Sequence, residues 1–103
     1  MRVKDAIVLE EAAEDLTAAV SLYEAQDQGV GHYFFESLMA DIDSLLVHAG
    51  VHGVHHGFHR MLAKRFPFAI YYDVVNELAR VAAVLDMRRD PAWIRRELEG
   101  RHG

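Results

Sequence analysis

Apolar residues recur with a helical period in the first half of the chain and with a strand period in the second. Residues 3–9, Val3-Lys4-Asp5-Ala6-Ile7-Val8-Leu9, come first and read as a strand, with Val3, Ile7 and Leu9 on one face and Asp5 breaking the alternation. Over residues 10–27 the period changes. Ala12, Leu16, Ala19, Val20 and Tyr23 fall three or four apart and form one stripe of a helix. Glu10, Glu11, Glu14 and Asp15 crowd its first turns, where the helix dipole favours acids. The segment Gln26-Asp27-Gln28-Gly29-Val30-Gly31 predicts a tight reversal, because two close glycines stop one helix and permit the turn. Residues 32–48 predict a second helix, with Phe34, Leu38, Ile42 and Leu45 on its stripe. Two helices joined by so short a turn pack as an antiparallel hairpin. Their joint apolar face needs a partner, and a sheet supplies one.

Residues 49–57 carry three glycines and three histidines and predict an irregular loop. Three strands follow: Phe58 to Lys64, Phe68 to Val74 and Leu78 to Asp86. The connections Arg65-Phe66-Pro67 and Val75-Asn76-Glu77 are short, which implies an antiparallel meander. On the second strand Phe68, Ile70, Tyr72 and Val74 share a face; Tyr71 and Tyr72 therefore point opposite ways, one buried and the other exposed or at an edge. On the third, plain alternation puts Ala79, Val81, Ala83 and Leu85 on one face and Arg80, Ala82, Val84 and Asp86 on the other. Alanine and leucine also favour helix over residues 78–87, but the valines and the place after two strands favour strand. The tail opens on Asp90-Pro91, a good cap followed by a good first helical residue, and predicts a short helix tied down by Trp93, Ile94 and Leu98. Residues 99–103 are expected to fray. The expected class is α+β, in the order β-α-α-β-β-β: a helical hairpin packed on a small, twisted, mainly antiparallel sheet, with a short C-terminal helix.

Length and composition narrow this further. A chain of 103 residues, 51% of them hydrophobic, is expected to form a single domain over residues 1–103. It has no cysteine, so disulfides and thiolate metal ligands are excluded. No apolar run reaches the length of a membrane span and the N-terminus lacks a signal-peptide core, so the cytoplasm is the expected location and no membrane partner is expected. The net charge of −5 is unevenly spread: residues 1–55 hold two Lys/Arg against ten Asp/Glu, and residues 56–103 hold nine against six. The acidic half reads as solvated helix faces. The basic half is either simple solubilisation or a face that meets an anion or an acidic protein surface.

Candidate chemistry concentrates in the second half. His48, His52, His55, His56 and His59 are close in sequence, but they span a glycine loop and form no HExxH pattern, so no metal is expected. Ser21, Ser37 and Ser44 carry no nucleophile elbow, and Gly29-Val30-Gly31 follows a helix rather than a strand, so no cofactor is expected either. The basic residues form the remaining inventory: Arg60, Lys64 and Arg65 on the first meander strand and its exit, Arg80 on the last strand, and Arg88 and Arg89 leaving it. Metal-free phosphodiester cleavage needs an acid, a base and cations, for which Lys64, Tyr71, Arg80, Asp86 and Arg88 are the available groups. The plainer reading pairs Arg60 and Arg80 with Asp73 and Glu77 as solvated cross-strand salt bridges.

Leu62-Ala63-Lys64-Arg65-Phe66-Pro67-Phe68-Ala69-Ile70-Tyr71-Tyr72 resembles the "krFPyaIyY" signature of the RelE/ParE toxin superfamily, the plasmid stabilisation proteins. Val81-Ala82-Ala83-Val84-Leu85 and Arg88-Arg89-Asp90-Pro91-Ala92-Trp93 resemble the family's closing strand and its "RRDPxxW" ending, and Glu14-Asp15-Leu16, Tyr23-Glu24 and Gly29-Val30-Gly31 with Phe34 its first helix and turn. The resemblance covers nearly the whole chain. It implies the toxin of a type II toxin–antitoxin pair, neutralised by a cognate antitoxin, with operator DNA met only indirectly through that antitoxin. Family members of the RelE kind cut mRNA on the ribosome, and those of the ParE kind poison DNA gyrase. Asp86 stands where many relatives have histidine, and a carboxylate repels phosphate, so the ParE-like branch is favoured. On that reading Arg88, Arg89, Trp93 and Arg95 are the candidate target contacts, and Arg60, Lys64 and Arg65 form a basic surface. A RelE-like ribosome-dependent endonuclease, or a non-toxic binding module descended from such a toxin, is the alternative.

Overall fold

A computed structural model describes residues 2–102. Its elements run β1 (Asp5–Val8), α1 (Glu10–Gln26), α2 (Val30–Asp43), α3 (Leu45–His48), β2 (Val54–His55), β3 (Phe58–Leu62), β4 (Phe68–Val75), β5 (Leu78–Asp86) and α4 (Pro91–Glu99). The class is α+β, as expected: helices packed on a five-stranded mixed sheet in the order β1-β5-β4-β3-β2. β3, β4 and β5 form the antiparallel meander, and β1 lies parallel to β5. Because β1 and β5 run the same way, the helices cross over the sheet between them.

The helical hairpin is closed by side chains that the stripe pattern does not reveal. Gly29 takes the left-handed conformation, with φ 88°. Its amide and that of Gly31 donate to the Glu24 carboxylate at 2.9 and 3.0 Å, so an acid at the end of α1 caps the start of α2. A Cβ on Gly31 would lie 2.7 Å from the carbonyl oxygen of Val20, so only glycine permits the two helices to approach this closely. α1 and α2 bury Ala12, Leu16, Ala19, Phe34, Leu38 and Ile42 against Ile70, Tyr72, Val81 and Val84 of the sheet.

Several expectations are corrected. The second helix does not run unbroken to residue 48; it breaks at Ser44, whose hydroxyl donates to the Asp41 carbonyl at 2.6 Å, and a short α3 follows. Residues 49–57 are not wholly irregular, because Val54–His55 pairs with β3. His56 and Gly57, with φ of 53° and 85°, make the two-residue turn that joins them. Tyr71 and Tyr72 do point opposite ways, yet both are buried, at 1% and 0% exposure. The reason is that α4 folds back over the second face of the sheet, where Ile94 and Leu98 join Phe58, Ala69, Tyr71, Ala83 and Leu85 in a second apolar cluster.

The face assignment of β5 is also corrected. A register shift opposite Tyr71/Tyr72 leaves Ala82 unpaired, so the alternation flips partway along the strand. Ala79, Val81 and Val84 therefore pack under the helical hairpin, while Ala83 and Leu85 pack under α4. Both faces of one strand are thus apolar where plain alternation would have sent Val84 and Leu85 to the wrong sides.

The tail does not fray over 99–102. Arg101 has a side chain only 7% exposed and bonds the Asp15 carboxylate at 2.6 and 3.0 Å, Glu97 at 3.0 Å and the Ala82 carbonyl at 3.0 Å. His102 stacks on Phe58 with ring centroids 4.1 Å apart and donates from Nε2 to the His56 carbonyl at 2.8 Å. Residue 103 lies outside the described residues.

Candidate functional site

One end of the sheet gathers the turn after β3, the exit of β5 and the tip of the helical hairpin. The Met87 amide donates to the Pro67 carbonyl at 2.8 Å, which joins the two loops. Phe66 in the turn packs edge-on against Tyr23 and Phe34, with centroids 5.1 and 4.9 Å away, so the motif's aromatic residue anchors Lys64 and Arg65 at this end. The Lys64 amide donates to the Asp41 carboxylate at 3.1 Å. Beside it, Asp86 accepts from the Arg88 amide at 2.9 Å, from Nε at 3.0 Å and from Nη2 at 2.8 Å. This bidentate pairing holds the Asp86 carboxyl below its usual range and raises the Arg88 guanidinium. Asp86 is therefore ionised at neutral pH and has no proton to give as a general acid.

Arg80 is not at this end. It sits six residues back along β5, roughly 20 Å away at the usual rise per residue. Its Nε and Nη2 bond both oxygens of Asp73 at 2.8 and 2.7 Å, which raises its pKa. That part of the cross-strand pairing reading holds, but Glu77 pairs with Lys4 at 3.4 Å rather than with an arginine of the sheet. The five residues considered for phosphodiester cleavage are thus divided: Lys64, Asp86 and Arg88 are at one end of the sheet and Arg80 is toward the other. Tyr71, the fifth, packs beneath α4, with its hydroxyl 3.5 Å from the sulfur of Met87.

The tail residues form a second surface. Asp90 accepts from the Ala92 amide at 2.9 Å and so caps α4, with Pro91 at its first position. The Arg89 guanidinium lies 3.7 Å above the Trp93 ring. Together they border a groove of about 350 Å³ between α1 and α4, floored by Phe68, Val84 and Leu85. Leu22, 66% exposed, stands on its far wall. Arg95 reaches Glu99 at 3.8 Å along the outer side of α4.

The histidines separate into different surroundings. The Tyr72 phenol accepts from the Gly50 amide at 2.9 Å and, with His52 as its Nε2–H tautomer, donates to His52 Nδ1 at 2.5 Å. His59 stacks on Tyr72 with centroids 5.1 Å apart and donates from Nδ1 to the His52 carbonyl at 2.7 Å. Among the described residues no group of three His, Asp or Glu is placed to hold a metal ion. Burial, with the neighbouring charges of His59 and His48, lowers the His52 pKa below 6.5. The unfolded chain therefore binds more protons than the folded one as pH falls below 6.5, and stability is lost in that window. The melting temperature is expected to drop between pH 7.5 and 5.5, and to drop less in His52→Gln. An equal drop in the variant would assign the effect to other groups.

The sequence reading missed the buried ion pair of Arg101 with Asp15. The two residues are 86 positions apart, and the available local signal was the i,i+4 pair Glu97–Arg101.

No family model and no curated protein matches the chain. Among solved structures, a chain described as belonging to the "Chromosomal ParDE TA system from P. aeruginosa" is similar, with a TM-score of 0.70 at 15% sequence identity, over 78% of this chain and 91% of that one. At that identity the likeness is one of fold. No helix of the described residues is long and apolar enough to cross a membrane.

Proposed function

We propose that this chain is the toxin component of a type II toxin–antitoxin system, bound and neutralised by a cognate antitoxin. The observation that carries the reading is the agreement of two independent likenesses: the fold shared with a chain of a ParDE system, and the motif around Phe66-Pro67 and Arg88-Arg89-Asp90-Pro91. Each motif residue has a structural task. Phe66 locks the turn onto the helical hairpin, Pro67 holds the Met87 amide, and Asp90-Pro91 starts α4. The antitoxin has a free sheet edge at β1 and an apolar hollow of about 250 Å³ beside it, lined by Val8, Leu16, Phe35 and Met39. An extended or helical segment that folds on binding would cover both.

The target in this proposal is DNA gyrase. The ParE-like reading is supported by the division of Arg80 from Lys64, Asp86 and Arg88, and by an Asp86 whose proton is already gone. The contact surface would be Arg88, Arg89, Trp93 and Arg95, where an aromatic ring and a guanidinium already stack beside an apolar groove. Gyrase would place the toxin's action in the cytoplasm. Expression without the antitoxin is expected to arrest growth, induce the DNA damage response and leave transcripts intact. Trp93→Ala and Arg89→Ala should relieve the arrest at unchanged protein level. Cleaved transcripts during arrest would replace gyrase with the translating ribosome and mRNA, and purified protein without effect on gyrase supercoiling would remove gyrase as the target.

A further inference from the structure

A third cavity lies on the face of the sheet away from the helical hairpin, beneath the start of α4. It measures about 200 Å³ and is lined by His55, His56, Arg60, Tyr71, Met87, Pro91 and Ile94. Nothing in the proposed toxin action uses it. Its volume falls below the roughly 300–1,000 Å³ of sites that take whole small molecules, so it suits a single functional group.

The chemistry of its walls is one-sided. Arg60 and Tyr71 are directly opposite in the β3–β4 register. Asp73, the carboxylate of β4 on the face that Tyr71 shares, is held at both oxygens by Arg80, and among the described residues Arg60 makes no ion pair. The Tyr71 hydroxyl is buried, and the acceptor that it reaches is the Met87 thioether at 3.5 Å, a weak one. The Arg60 guanidinium lowers and burial raises the Tyr71 pKa, with burial the larger effect, so the phenol keeps its proton. The imidazoles of His52, His59 and His102 make hydrogen bonds within the fold, whereas His55 and His56 line the cavity. His56 is fixed there in a left-handed backbone conformation, with its carbonyl pinned by His102. The cavity thus offers a guanidinium fork and a phenol O–H, and no carboxylate is among its lining residues.

We propose that this cavity binds the tetrahedral oxyanion of a phosphate group, with Arg60 and Tyr71 as donors and His55 and His56 at its rim. A guanidinium matches phosphate oxygens bidentately, and donors arriving from β2, β3 and β4 approach from more directions than a planar carboxylate uses. The site is independent of the toxin reading: growth arrest can fail while phosphate binds, and the reverse.

The test is a titration of the purified full-length chain with inorganic phosphate, followed by amide NMR shifts. Saturable changes at residues 55–60, 71 and 87–94 are expected. Arg60→Gln should weaken binding by about tenfold or more, the loss expected for a hydrogen bond to a charged group. Tyr71→Phe, which keeps the buried ring, should weaken it by a smaller factor, with circular dichroism showing both variants folded. A phosphodiester dinucleotide titrated in parallel distinguishes the source: tighter binding than inorganic phosphate assigns the group to a nucleotide backbone, and weaker binding to a free or terminal phosphate. Acetate at matched ionic strength producing the same shifts, or unchanged phosphate affinity in Arg60→Gln, would overturn the assignment.

Discussion

Replacing Arg101 with methionine is expected to cost about 3–5 kcal/mol of folding stability, the range for breaking a buried ion pair from one side. In a domain of this size that corresponds to a fall in melting temperature of roughly 15 °C or more. The magnitude follows from what the guanidinium leaves behind. Asp15 is itself largely buried and would lose its bidentate partner, retaining the Val84 amide at 3.0 Å. The Ala82 carbonyl would lose its donor at the point where the β5 ladder is already interrupted. Glu11 and Glu97, at 3.2 and 3.0 Å, would then face Asp15 with no cation between them. Lysine is not an adequate replacement, because the three donors of one ammonium cannot serve three carboxylates, one of them at both oxygens, and a carbonyl as the planar guanidinium does. A double variant, Arg101→Met with Asp15→Asn, should recover part of the loss, since it removes the stranded charge. A melting temperature within two or three degrees of the parent in Arg101→Met, measured by thermal circular dichroism, would show the network to be dispensable.

The same residue shows what local sequence patterns convey and what they do not. The meander, the helical hairpin and the Asp90-Pro91 start of α4 were legible because each depends on residues close in sequence: alternation, a three-to-four spacing, a cap followed by proline. The faces of β5 were not legible past Val81, because one unpaired residue inverts every later side chain and nothing in the local pattern marks it. The burial of Tyr71 depended on α4 folding back, and the ordered tail depended on Arg101 meeting Asp15; both are long-range facts. At the candidate site, the motif residues Lys64, Phe66, Asp86 and Arg88 were found together because the β3–β4 turn and the β5 exit must meet in an antiparallel sheet. Arg80 was grouped with them, although six residues of extended chain between Arg80 and Asp86 hold the two apart. The Asp86–Arg88 pairing was harder, because a local pair two residues apart needs the turn after β5 to bend the backbone. The histidines gave the least, since their fates diverge through a two-residue turn that glycine and histidine together adopt.

Phe34→Ala is the second large effect, at about 3–5 kcal/mol of stability lost. Phe34 is fully buried, and its ring stacks on Tyr23 at 5.0 Å and meets Phe66 and Phe68 edge-on at 4.9 Å each. Removing it takes away the transfer free energy of a phenyl group and leaves a void bounded by three rings from α1, the β3–β4 turn and β4. Those elements cannot all move inward, because β4 is fixed in the sheet and α1 is held near α2 by the close approach at Gly31. The loss should have a local signature as well as a global one. Phe66 is the hinge through which the Lys64–Arg65 turn is anchored, and Pro67 of the same turn holds Met87 beside the Asp86–Arg88 pair. Near-UV circular dichroism should therefore weaken more than far-UV, and amide exchange should quicken first at residues 63–67 and 86–89. Phe34→Leu, which refills much of the volume, should show a smaller loss and keep the turn protected. By contrast Leu22→Ala, on the exposed wall of the α1–α4 groove, should change stability by no more than about 0.5 kcal/mol. Uniform exchange in Phe34→Ala, with no preference for the two loops, would mean that the aromatic cluster supports the core alone and does not position the basic end of the sheet.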